Sequence, residues 1–144
     1  MEFYENKQEP EKAVLIAVDT GEYDCDISLD ELEELAETAG AEVVGRMSQK
    51  RDKPDSGTFL GSGRLEELGD FCKNNEVDLV IADSELAPAQ LRNIEKATDV
   101  RVIDRTTLIL DIFAERARSN EGKLQVELAQ LRYSPVSYTH LRAH

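Results

Sequence analysis

Short apolar runs that alternate with segments of helical periodicity constrain the fold of this chain more than any other feature. Residues 12–18 contain the run AVLIAV, and residues 77–82 and 100–103 repeat the pattern. Continuous apolar runs of this length are typical of strands that are covered on both faces. Residues 41–47 predict a further strand, so strand and helix alternate along the chain. We therefore predict an α/β fold, a small parallel sheet wrapped by helices, followed by the start of a helical hairpin.

The predicted helices have identifiable ends. Ser28 with Glu31 three residues later predicts a capping box, and Gly40 supplies a C-terminal stop. Pro88 is placed for the first turn of another helix, and Asp104 for the cap of the last one. Apolar residues expected to face the core are Leu29, Leu32, Leu35 and Ala36 on the first helix, and Leu65, Leu68 and Phe71 on the second.

A charged loop and a turn of small residues separate the second strand from the second helix. Residues 48–57, SQKRDKPDSG, predict a long mobile loop, and residues 58–60 a brief extended piece. Gly61, Ser62, Gly63 and Arg64 then open the helix, a setting in which backbone N–H groups can hold an anion. The favoured interpretation is an ordinary tight strand-to-helix turn, because no further glycine or lysine completes a phosphate-binding motif.

The last third of the chain predicts two helices with different apolar faces. Leu108, Ile109, Ile112 and Phe113 form a broad stripe expected to pack on the sheet. A narrow seam of Leu124, Leu128 and Leu131 within residues 123–133 has no partner helix, which predicts self-association or fraying. Residues 134–144, SPVSYTHLRAH, continue neither pattern and suggest a non-native or disordered tail on a truncated chain. We divide the chain into a disordered segment 1–11, an α/β domain 12–118, a hairpin start 119–133 and the tail 134–144.

Charge is distributed unevenly over the 144 residues, whose formal net charge is −13. Residues 1–100 hold 10 basic and 25 acidic side chains, whereas residues 101–144 hold 7 and 5. An acidic body repels phosphate backbones, so we expect no DNA partner and only local RNA contacts. The residues predicted to face RNA or a protein partner are Arg92, Asn93, Arg105, Arg116, Arg118 and Lys123. The alternative is that these charges only solvate the helices.

Several chemistries are disfavoured by the sequence. Cys25 and Cys72 lack the spacing of a zinc site, and no P-loop motif occurs in the chain, so we predict no catalytic residue, no metal site and no cofactor. Asp19 and Asp83 end apolar runs as in receiver domains, but the acidic pair and lysine of such a site are missing. No apolar run is long enough to span a membrane.

Three blocks of sequence resemble the N-terminal region of the HflX family of GTPases. They are residues 58–68 (TFLGSGRLEEL), residues 85–95 (ELAPAQLRNIE), and residues 102–131, which begin with VIDRT and end with LQVELAQL. Their spacing makes the resemblance specific over residues 12–133. One departure is Ala87, where the family usually has Ser or Thr.

The resemblance implies an α/β N-terminal domain of a cytoplasmic protein that binds the large ribosomal subunit and helps split or rescue ribosomes. In the parent family GTP and Mg²⁺ are bound by a later domain, so the resemblance assigns no catalytic residue here. Two alternatives remain open: a free-standing acidic α/β interaction module, or an anion- or nucleotide-binding domain that uses the turn from Gly61 to Arg64.

Overall fold

The computed structural model describes residues 9–119. Predictions for Lys123, for the leucine seam, for the tail and for the first eight residues lie outside this range. Strands and helices alternate as the sequence indicated, which confirms the α/β class. The elements are β1 (Lys12–Asp19), α1 (Cys25–Thr38), β2 (Glu42–Lys50), α2 (Ser62–Asn74), β3 (Leu79–Ala82), α3 (Pro88–Thr98), β4 (Arg101–Asp104) and α4 (Arg105–Ser119).

Within the described residues, the strands form one parallel sheet in the order β2-β1-β3-β4. Leu15 of β1 lies opposite Arg46 of β2 on one side and Ile81 of β3 on the other. A bulge interrupts the pairing of β1 with β2 after Ala13. Helices cover both faces of the sheet, so the side chains of β1 from Ala13 to Val18 are all buried, as the apolar run predicted.

Side-chain alternation along the central strands produces two packed layers. Val14 and Ile16 of β1 belong to a hydrophobic cluster with Leu68 of α2 and Ile94 of α3. Leu15 is buried on the opposite face of the sheet, and α1 packs against β1 and β2. Buried residues of α1 are Cys25, Leu29, Leu32 and Ala36.

Helix α1 begins earlier than predicted. Asp24, and not Ser28, is the N-cap: its side chain accepts a hydrogen bond from the Ile27 N–H at 3.1 Å. Both residue types suit a cap, but the apolar periodicity used to place the start is weak in the first turn, where Ile27 is exposed. The predicted stop is confirmed, since Gly40 has φ +95 just beyond the helix.

The loop after β2 is shorter than predicted. Residues 48–50 belong to β2, and Asp55 and Phe59 exchange two backbone hydrogen bonds at 2.9 and 3.0 Å. Phe59 adopts φ 67, a region costly for a bulky residue, yet its ring is almost fully buried in the core cluster. Burial of the ring therefore offsets the backbone strain and holds the loop in one conformation.

Helix α4 begins as predicted, because Asp104 accepts a hydrogen bond from the Thr107 N–H at 3.0 Å. The chain divides into two compact units within this helix, the first ending at Leu110 and the second beginning at Asp111. Leu108 of the first unit is buried, whereas Phe113 of the second is 60% exposed, so the predicted burial of its ring is wrong. Phe113 shares a helix face with Ile109, four positions earlier, which is only partly buried.

Candidate functional site

The carboxyl ends of β1 and β3 are where an open α/β sheet usually binds its ligands. The chain passes from β1 to β2 on one side and returns to β3 on the other, so a crevice is expected between β1 and β3 at this edge. In this protein Arg105, the first residue of α4, pairs with Asp83, which directly follows β3 at this edge.

Arg105 joins three elements through its guanidinium group. Its Nη2 donates to Asp83 Oδ1 at 2.5 Å and to the Ser28 carbonyl oxygen at 2.8 Å. Ser28 Oγ in turn donates to Asp83 Oδ2 at 2.7 Å. The side chain of Asp83 is 1% exposed and that of Arg105 is 24% exposed. This cluster, Arg105, Asp83 and Ser28, ties the end of β3 to α1 and to the start of α4.

Two further side chains border the Arg105 cluster. Burial, reinforced by the charge of Asp83, raises the pKa of the Tyr23 hydroxyl to about 12, so Tyr23 is a hydrogen-bond donor at neutral pH. Burial also raises the pKa of the Cys25 thiol. A protonated thiol is a poor nucleophile, so these groups fit a structural connection better than acid–base or covalent chemistry.

The loop between β2 and α2 is clamped against α3. Asp55 Oδ1 accepts hydrogen bonds from the N–H groups of Gly57 at 2.8 Å and Thr58 at 3.0 Å, which lowers the pKa of its carboxyl. From α3, Gln90 donates to the Asp55 carbonyl oxygen at 2.7 Å and Asn93 donates to that of Gly57 at 2.8 Å. Asn93, predicted to face a partner, therefore binds the protein's own loop through its amide nitrogen.

The turn from Gly61 to Arg64 has the geometry of a strand-to-helix connection. The Gly61 N–H donates to Gln49 Oε1 at 2.7 Å, so one of the N–H groups considered for an anion already has a partner. A Cβ at Gly61 would lie 2.9 Å from Nη1 of Arg51, the end of a flexible side chain that can move aside. Arg64 pairs with Glu67 at 3.5 Å, and Ser62 and Gly63 are exposed in the first turn of α2. Anion binding at this turn stays a prediction.

The remaining predicted contact residues lie on exposed surfaces. Arg92 is exposed on α3, one position before Asn93. In the second unit Arg116 and Arg118 are exposed in the last turns of α4, and Arg118 pairs with Glu115. Whether any of them contacts a partner is a prediction that the described contacts leave open.

Sequence reasoning missed two features of this edge. It treated Asp83 as a strand-end residue and Arg105 as partner-facing, although both flank apolar strands whose carboxyl ends must meet in a parallel sheet. It also gave no role to Lys50, Arg51 and Lys53, which form a basic run within the acidic part. The three basic side chains within residues 48–57 were the sequence signal from which this run could have been predicted.

Neither a metal cluster nor a membrane-spanning helix is found among residues 9–119. No group of three or more His, Cys, Asp or Glu side chains in residues 9–119 is arranged to hold a metal ion. The sequence has no P-loop, so the assignment of GTP and Mg²⁺ to another part of the parent protein stays a prediction. Among the helices of the described part, none is long and apolar enough to cross a membrane.

Sequence comparison relates this chain to known proteins. The family described as "GTP-binding GTPase N-terminal" matches residues 26–114. The GTPase HflX of Lacrimispora saccharolytica is 50% identical over 143 residues, 99% of this chain and 34% of the relative. That of Escherichia coli is 46% identical over 117 residues, 78% of this chain and 28% of the relative. The chain thus spans about a third of the length of these relatives.

Solved structures share the fold. A variant of SsGBP superposes with a TM-score of 0.60 and 25% identity, covering 90% of this chain and 41% of that protein. A GTP-binding protein of Sulfolobus solfataricus in complex with GDP gives a TM-score of 0.56 and 26% identity, over 85% of this chain and 36% of its own.

Proposed function

The chain belongs to the HflX family of GTPases, whose N-terminal region it represents, and we propose that it serves such a GTPase as a ribosome-binding region. In this proposal the parent protein acts in the cytoplasm, associates with the large ribosomal subunit and helps split or rescue ribosomes. The observation that carries the proposal is the match of the family's N-terminal model to residues 26–114, which contain three of the four strands of the α/β body.

The structure supports a binding role more than a catalytic one. At the carboxyl end of β3, the Arg105–Asp83 ion pair at 2.5 Å engages both charged side chains in a contact within the protein. The thiol of Cys72 is buried, and burial raises its pKa to about 11. We therefore assign this chain a scaffolding and contact function, and we assign GTP and Mg²⁺ to another part of the parent protein.

The arginine-bearing end of α4 supplies one contact in this proposal. Arg116 and Arg118 are exposed and lie in the last turns of the helix, and Lys123 follows them in sequence. Guanidinium groups bind phosphate oxygens in a bidentate manner and keep their charge at any physiological pH. They suit ribosomal RNA, while Leu124, Leu128 and Leu131 would pack with a further helix or with a second copy of the chain.

Co-sedimentation with isolated large subunits at two salt concentrations tests the proposal. We expect binding that weakens with salt and weakens further in the Arg116→Glu/Arg118→Glu variant. Lys73→Glu/Lys96→Glu is the control, because it changes the net charge equally at the last turns of α2 and α3. Absence of binding by the unmodified chain would favour a free-standing interaction module.

GTP binding provides an independent check on the assignment of nucleotide chemistry. We expect no heat of GTP binding to this chain by calorimetry with Mg²⁺ present, since no P-loop is available to hold the phosphates. A dissociation constant in the micromolar range would instead favour the turn from Gly61 to Arg64 as a nucleotide site.

A further inference from the structure

Basic side chains of the α/β body are concentrated on one edge. Residues 9–110 contain 11 Lys and Arg side chains against 24 Asp and Glu. Five of those 11 belong to the β2–α2 connection and the starts of α2 and α3, where helices begin at the carboxyl ends of the parallel strands. We call these five the basic edge: Lys50, Arg51, Lys53, Arg64 and Arg92.

Most other cations of the body are neutralised by close carboxylates. The pairs are Lys12 with Glu76 at 3.9 Å, Arg46 with Asp30 at 2.6 Å, Arg101 with Glu11 at 3.6 Å, and Arg105 with Asp83 at 2.5 Å. Only Lys73 and Lys96 of residues 9–110 remain, and they lie at the opposite ends of α2 and α3. The positive charge available to a partner is therefore greatest at the basic edge.

Hydrogen bonds connect the parts of the basic edge to one another. The Nε of Arg51 donates to the Lys53 carbonyl oxygen at 3.1 Å, and its Nη1 lies beside Gly61 at the start of α2. Arg92 is exposed on α3, the helix whose Gln90 and Asn93 amides bind the loop. The cations thus come from three elements that contact each other around one loop.

Two carboxylates near the basic edge accept backbone hydrogen bonds, and two of its five cations, Arg51 and Arg64, have an acidic partner. Asp55 accepts two backbone N–H bonds and stands 3.9 Å from Arg51, while Asp19 accepts from the Gly21 N–H at 3.0 Å. Glu67 pairs with Arg64, and Asp52 is exposed. Within the described residues Lys50, Lys53 and Arg92 have no ion pair.

The loop that carries these cations is held in place by its clamp and by the core. Phe59 anchors it through a buried ring, and Asp55 closes it through the paired backbone bonds with Phe59. Charges on a preorganised loop lose less conformational entropy on binding than charges on a mobile one. Lys50 is the last residue of β2 and pairs with Asp19 of β1, and the Lys53 carbonyl oxygen accepts from Arg51 Nε, so both cations lie on an ordered backbone.

We propose that the basic edge binds the phosphate backbone of RNA, as a contact additional to the end of α4. This inference rests on the proposed function, because ribosomal RNA is the partner it supplies. Phosphate contacts need cations and exposed donors, and they carry no requirement for apolar anchors. Protein interfaces depend on such anchors, and the large exposed apolar side chains of residues 9–119, namely Tyr23, Ile27, Leu110 and Phe113, all lie outside the basic edge.

Two charge-reversal variants with the same change in net charge test the proposal. Lys50→Glu/Lys53→Glu alters the basic edge, and Lys73→Glu/Lys96→Glu alters the opposite ends of α2 and α3. Binding of the full chain to a double-stranded RNA hairpin is measured by fluorescence anisotropy over a series of salt concentrations. Thermal unfolding of each variant verifies that the fold is retained.

We expect the edge variant to bind more weakly and to lose roughly 1.5 from the slope of log K against log salt, since each lost phosphate contact removes roughly 0.7–0.9. The control variant should keep nearly the full slope. Equal losses in both variants would overturn the proposal, because only net charge would then matter. Failure of the unmodified chain to bind the hairpin would also overturn it.

Two charge-neutralising variants on α3 provide a second comparison between the basic edge and a control position. Arg92→Gln removes a cation from the basic edge, and Lys96→Gln removes one from the last turn of α3. Only Arg92→Gln should lower the salt slope. Co-sedimentation with large subunits separates the two proposals: subunit binding that is equal in the edge and control variants rejects the basic edge but keeps the ribosomal function. If the chain binds the hairpin through the basic edge but does not bind large subunits, the ribosomal function is rejected and the basic edge is kept.

Discussion

Truncation of Arg105 to alanine is the most demanding test of the structure, because it isolates a buried carboxylate. Asp83, with a side chain 1% exposed, would lose the donor at 2.5 Å. It would keep Ser28 Oγ at 2.7 Å and the more distant Tyr23 hydroxyl at 3.4 Å. Neither remaining donor carries a charge that compensates the desolvated carboxylate.

The expected cost follows from this geometry. Removing one partner of a buried ion pair destabilises a protein by about 3–5 kcal/mol. Arg105 is 24% exposed, so water can replace part of its guanidinium, and we expect the lower end of that range, about 3 kcal/mol. For a domain of this size, such a loss lowers the melting temperature by roughly 10 °C.

Urea unfolding followed by far-ultraviolet circular dichroism measures this loss. Arg64→Ala is the matched control, since Arg64 pairs with Glu67 at 3.5 Å on the surface and should contribute at most about 1 kcal/mol. A double-mutant cycle with Asp83→Ala should give a coupling of at least about 1 kcal/mol. If Arg105→Ala costs no more than Arg64→Ala, the cluster does not stabilise the fold as we argue.

Three further predictions concern packing, capping and pH. Gly69→Ala should lower the free energy of unfolding by about 1–3 kcal/mol, because the added Cβ would lie 2.8 Å from the Ala97 carbonyl oxygen. Gly63→Ala on the same helix has open space and should raise it by about 0.5–1 kcal/mol. Chemical denaturation compares the two variants. Ala87→Ser should raise the unfolding free energy by about 0.5–1 kcal/mol by adding the missing cap acceptor, measured the same way. Burial raises the pKa of the Cys72 thiol from 9.0 to about 11. Its contribution to the free energy of unfolding is therefore complete below pH 9 and is lost as pH rises through about 11. Denaturation at several pH values should show that Cys72→Val loses less stability at alkaline pH than the unmodified chain.

The strands were predictable because a strand that is buried on both faces has a continuous apolar sequence. All six residues from Ala13 to Val18 are buried, and no amphipathic pattern competes with that run. β2 was harder to delimit, since it lies at the sheet edge and its last residues, Ser48 to Lys50, are polar. Polar residues at the end of an edge strand look like a loop until the hydrogen bonds to β1 are known.

The candidate site was less predictable because its contacts connect distant segments. Arg105 and Ser28 are 77 positions apart, and Asp83 lies between them in sequence. A lone arginine at a helix start is equally compatible with solvent, a partner or a buried carboxylate. The clamp of Gln90 and Asn93 on the loop was hidden for the same reason, since amide side chains leave no periodic signal.

The position of β2 at the sheet edge has a consequence for the behaviour of the protein in concentrated solution. Its nine residues extend over about 30 Å, and among the described residues only β1 pairs with it, so a long row of backbone groups is open to a second molecule. Long open edges promote aggregation unless charge or irregularity interrupts them. The exposed Arg46 and Lys50 and the bulge opposite β1 provide both kinds of interruption. The charge on this strand therefore also guards against sheet-to-sheet assembly.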